Sequence, residues 1–252
     1  MSASAEPLAL GRARLGLAAA LVAAAAAGWW WTIGETEGMD GGPWTALGAF
    51  GWFVGVWLVM MGAMMLPSAA PTVVLYGRMR SDRSLVSTGG FVAGYLVMWA
   101  AVGVSAYGAS RLAGDVLAWN RAGRWVAGGV LVAAALYELT PLKDVCLGKC
   151  RSPLGFLLGA WRDGPAGALR MGVEHGVWCV GCCWALMASL FALGAMSIPW
   201  MALVAGLIAF EKLVPYRRAA TWGTALVLLA LGVLMLAYPD AIPGLAIPLS
   251  SM

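Results

Sequence analysis

His175, Cys179 and Cys182 stand at i, i+4 and i+7 in the stretch Met171 to Met187. On a helix that spacing puts one imidazole and two thiols along a single stripe, with Met171 one turn before and Cys183 and Met187 along its edge. Thiolate, thioether and imidazole are soft or borderline donors, a set that suits Cu(I) first and Zn(II) second. Cys146 and Cys150 lie upstream, on a segment able to fold over the stripe and complete or exchange a ligand. Cysteine in an apolar helix is often only a small hydrophobe, and a single histidine at a helix start is often a cap or interface residue. Five cysteines within 38 positions, three of them beside the sole histidine, favour a metal or thiol site.

Two further groups widen the donor set. Met60, Met61, Met64 and Met65 precede Pro67 and Pro71, which are expected to interrupt the helix and free carbonyls. Methionine pairs at helical spacing are usually packing, but Met60 and Met64 share a face and are candidate ligands beside the prolines. Glu138 and Glu211 are acids near membrane ends, where an ionised side chain faces water, a basic partner or a bound ion. Lys143 and Lys212 are their candidate partners, and Glu138 is kept as a candidate ligand.

These residues must be positioned by a membrane protein. Of 252 residues 62% are hydrophobic and 11% charged, with a mean hydropathy of +0.82. Glycine, at 34 residues, is about twice its usual share, as expected where helices approach closely in lipid. Spans are expected near 15–33, 44–66, 88–109, 123–141, 174–196, 198–213 and 219–237, since about 20 apolar residues cross a hydrocarbon layer of roughly 30 Å. The fold class is therefore all-α: a polytopic bundle of about seven transmembrane helices, one integral membrane domain over 1–252, with a cytoplasmic cysteine-containing loop at 142–172. Within that loop Pro153 to Trp161 is too short to span and is expected to lie flat on the membrane or re-enter it.

Charge orients the bundle. With the N-terminus inside, all but three of the 16 basic residues fall on the cytoplasmic side; only Arg111, Arg121 and Arg124 fall outside. The first outer loop is acidic, with Glu35, Glu37 and Asp40. Trp29 to Trp31, Trp44, Trp119, Trp125, Trp200 and Tyr238 fall at the expected outer ends, as interfacial aromatics do. An N-in, C-out arrangement follows. It gathers the Met60 to Met65 run, Glu138, His175, the loop cysteines and Glu211-Lys212 near the cytoplasmic end. The net charge of +4 is modest, and no nucleic-acid partner is expected. An odd cysteine count with Cys182 and Cys183 adjacent argues against an exported disulfide framework.

With these motifs in view, the chain resembles a bacterial family of predicted metal-binding integral membrane proteins, a domain of unknown function sometimes labelled copper chaperone. The resemblance rests on Met60 to Pro67 with Pro71 and Tyr76, on Tyr137 to Lys143 followed by Cys146, Cys150, Arg151 and Pro153, on Gly172 to Met187, and on Glu211-Lys212. It spans about residues 44 to 236. It implies a role in binding or delivering a metal, copper foremost, in the bacterial inner membrane, with a cuproenzyme or metal-donor protein as the kind of partner. The residue pattern itself leads to a soft-metal binding protein, with a metal transporter and a membrane thiol or metal oxidoreductase as alternatives, and a purely structural subunit as the reading without chemistry. A single histidine leaves no pair for haem or a di-copper centre, and no CxxC follows a thioredoxin-like pattern, so an enzyme is the less favoured class.

Overall fold

Long apolar runs with small residues at helical spacing leave no alternation for strands, and the chain folds as helices. The computed structural model describes residues 5–36, 48–79, 85–113, 121–195 and 197–237. Within them nine helices follow in order: α1 (Ala5–Thr36), α2 (Phe50–Met79), α3 (Leu85–Ala113), α4 (Arg121–Glu138), α5 (Pro141–Arg151), α6 (Pro153–Ala160), α7 (Gly164–Leu193), α8 (Ile198–Leu213) and α9 (Arg217–Ala237). No strand occurs among the described residues. The expected positions Glu37, Asp40, Trp44, Arg80, Arg83, Trp119 and Tyr238 lie outside them.

Four helices are long and apolar enough to cross a membrane: α2, α3, α7 and α9. The pair α4 and α5 makes a fifth if its two halves, bent by 68°, form one broken span. The bend has a local cause. Thr140 leaves helical geometry and caps α5, its Oγ1 accepting from the Lys143 amide at 3.3 Å, while Pro141 occupies the first turn, where no intrahelical donor is needed. The α8 helix, at 16 residues, is shorter than a full span.

Three features differ from the sequence expectation. The segment 142–172 is a loop only between spans; it is built of α5, α6 and the first turns of α7, since its apolar positions recur at helical rather than loop spacing. The helix carrying His175 begins at Gly164, about ten residues early, because Pro165 and the following small residues extend it. And α2 continues through Pro67 and Pro71 to Met79. Each proline removes one ladder bond without ending a helix packed on its neighbours.

At the centre stands α7, against which α3, α4, α5 and α8 all pack. Its approach to α3 is set by glycine. A Cβ at Gly94 would strike the Leu169 carbonyl oxygen, and one at Gly172 the Phe91 carbonyl oxygen. Backbones that close leave room for no side chain, the small-residue packing by which membrane helices associate. The α4 and α9 pair repeats the device, with Gly232 facing the Gly128 carbonyl. The main core contains Trp57, Trp99, all five cysteines and Met60, Met61, Met64 and Met65 of α2.

Candidate metal centre

Cys150 from α5 and Cys179 and Cys182 from α7 bring three buried sulfurs within 4.8 Å of one another. The Cys182 and Cys150 sulfurs are 3.6 Å apart. A metal–sulfur bond of about 2.3 Å in a trigonal set needs sulfurs about 4.0 Å apart. The three thiols therefore suit a single soft ion with shifts smaller than a bond length. All five cysteines are free.

Two polar side chains converge on Cys179. The Lys212 Nζ lies 3.3 Å from its sulfur and 3.0 Å from Ser68 Oγ, and the Tyr95 hydroxyl lies 3.1 Å from the same sulfur. An ammonium at that distance supplies the positive charge a buried thiolate needs, since an unpaired ion in an apolar interior is costly. Ser68 is held in place by donating to the Met65 carbonyl at 2.8 Å. Sequence reasoning assigned Lys212 to a carboxylate and passed over Tyr95 and Ser68. The signal in each case was a hydrogen-bonding group deep in an apolar helix, which must find a partner.

The remaining candidates occupy distinct places. Cys183 is buried, but its Sγ donates to the Cys179 carbonyl at 2.9 Å along the same helix. Cys146 packs on Gly181, where a Cβ would lie 2.7 Å from its sulfur. That glycine lets α5 approach α7 and set Cys150 against Cys182. His175 is 3% exposed and stands outside the three-sulfur group. Its ring packs among Phe156 at 4.9 Å and Phe91 and Tyr95 at 5.9 Å, and its Nδ1 has no hydrogen-bond partner. Met60 and Met64 are buried in the same core cluster as the thiols. Met171 instead accepts from the Arg162 amide through sulfur, at 3.3 Å.

Glu138 belongs to another arrangement. Lys143 of α5 lies 2.7 Å from a carboxylate oxygen of Glu138 on α4 and 2.7 Å from one of Glu211 on α8, all three side chains being at most 2% exposed. Paired acids and a base in a helix bundle hold three elements together and leave Glu138 committed to an ammonium. The α5 helix thus carries Lys143, Cys146 and Cys150 at i, i+3 and i+7 on its buried face. One surface ties it to the bundle and presents the candidate ligand Cys150.

Over residues 54–235 the sequence matches the family PpoB2, described as copper chaperone. The chain belongs to this copper chaperone family. The matched region runs from α2 into α9 and takes in the methionine run, the five cysteines, the buried ion triad and Lys212. No curated protein and no solved structure matches the chain.

Proposed function

We infer that the chain binds one Cu(I) ion at Cys150, Cys179 and Cys182 and holds it for delivery to a partner. The observation that carries this reading is the convergence of three buried thiols from two helices. Copper is the cargo, and the donor chemistry favours it. Three sulfurs with methionine sulfurs in the same core suit a soft monovalent ion, whereas Zn(II), the second choice, almost always takes four ligands in a closed site. Three thiolates with Lys212 and Cu(I) leave one net negative charge, a smaller burden than the thiolates alone.

Cys146 and Cys183, each next to the cluster in sequence or across α5, are the exchange ligands of this reading, and Cys150 is the ligand that leaves first because it alone comes from a short helix. His175, Met60 and Met64 stand behind the thiols as further donors. Glu138 serves the Lys143 pairing. The chain acts as a single membrane domain over 1–252 with about seven spans, N-terminus inside, in the bacterial inner membrane, and it exchanges copper with a metal-donor protein or a cuproenzyme. This placement is supported by the distribution of basic residues and by the four apolar helices of spanning length. Binding and release need no change in the oxidation state of copper, so the reading is of a carrier rather than an enzyme.

Titration of the purified chain with Cu(I) under reducing conditions, against a competing chelator, tests the proposal. One ion per chain is expected for the wild type, and binding at least about tenfold weaker for Cys179→Ser with Cys182→Ser. Equal binding by that double variant would reject the site.

A further inference from the structure

Sulfur does not stop at the thiol cluster. Eight methionines among the described residues are buried, and seven of them share one core cluster with all five cysteines. Their levels in the bundle follow from two contacts between α2 and α7. At one level Lys212 joins Ser68 of α2 to Cys179 of α7. At another Trp57 of α2 stacks on Phe191 of α7, ring centroids 5.6 Å apart. The two helices therefore run antiparallel, and the levels of intermediate residues follow by counting inward from either contact.

Counted that way, Met64 and Met65 stand at about the level of Cys182 and Cys183, about 5 Å along the axis from Cys179, and Met60 and Met61 at about the level of Met187, about 12 Å along. The α8 helix, folded back on α7 and registered by Lys212, sets Met201 about 16 Å along, one turn inside the Gly194 to Ser197 turn. Met60, Met61, Met187 and Met201 are each at most 3% exposed. Soft donors thus recur at axial steps of about 4 to 7 Å from the thiols to within about a turn of the far end of α7. The levels continue past the thiols because their residues come from three helices.

We propose that this ladder is a Cu(I) pathway across the bundle, along which the ion passes between the thiol cluster and the α7–α8 end. It deepens the carrier reading and rests on it for the inner terminus of the path. Thioethers are uncharged, so they bind Cu(I) weakly enough to release it and offer little to Zn(II). Conduction needs that compromise: favourable enough to enter, weak and multi-sited enough to leave. The ion moves as Cu(I) throughout, so no electron is gained or lost.

The test is the full chain in proteoliposomes, with a reductant on both sides and a fluorescent Cu(I) chelator inside. Wild type should admit Cu(I) well above protein-free vesicles and leave Zn(II) outside. Met187→Leu, and Met61→Leu with Met201→Leu, nearly conserve volume and should fold. Each should slow uptake at least about tenfold while Cu(I) titration still gives one ion per chain. No uptake above protein-free vesicles, undiminished uptake in the leucine variants, or equal passage of Zn(II) would each overturn the pathway. None of these would touch the thiol site, whose failure shows instead as equal binding by the Cys179 and Cys182 variants.

Discussion

Lys143 and Lys212 sit within one bundle and do opposite jobs. The first is clamped between two carboxylates and the second faces a sulfur. Removing the first charge leaves Glu138 and Glu211 buried together without a cation. Lys143→Met should therefore cost about 3 to 5 kcal/mol. The triple change with Glu138→Gln and Glu211→Gln should recover much of that, both read from thermal unfolding in detergent. Lys212→Gln should leave the fold near wild type and weaken Cu(I) binding by about 10- to 100-fold, as loss of groups supporting a ligand usually does. The ionic partners were half legible in sequence: acids and bases near helix ends announce pairing, but linear order cannot say which base faces which acid. Cys179 drew Lys212 because α8 folds back on α7, a contact no local spacing records.

Helix placement rests on glycines whose missing side chains are the point of contact. Gly94→Ala would drive a methyl group into the Leu169 carbonyl and force α3 off α7. The expected result is a lower melting temperature and weaker Cu(I) binding, since α3 carries Tyr95. Gly51→Ala, at a position with open space around it, should be neutral or stabilise by up to about 1 kcal/mol through helix propensity. Equal effects of the two would remove close packing as the explanation. The apolar helices were readable from composition and run length, and so was the placing of Cys179 and Cys182 along one helix. What could not be read was that Thr140 and Pro141 bend the chain by 68° and turn an expected connector into a ligand-bearing helix. Proline spoke ambiguously: Pro141 starts a helix, whereas Pro67 and Pro71 sit inside one.

Across the whole molecule the five thiols are at most 9% exposed, so the donors face the interior rather than water or lipid. In the folded protein a small maleimide should label them far more slowly than in denaturant, and bound Cu(I) should slow the Cys150, Cys179 and Cys182 adducts further; mass spectrometry of the labelled peptides reads both. Gathering five cysteines and seven methionines into one core was foreseeable only in part. The α7 stripe is written in consecutive turns of one helix, whereas the methionine levels exist only once α2, α7 and α8 are in register.

One contact ties the two ends of this picture together. Arg151, the last residue of α5, donates to the carbonyls of Glu211 and Val214, so a guanidinium finishes the neighbouring helix α8. Cys150 stands immediately before it. Any swing that carries this cysteine outward with its cargo also strips those two carbonyls of their donors, beside the very lysine that faces Cys179. In the proposed carrier, outward movement of Cys150 would thus be coupled to fraying of the end of α8.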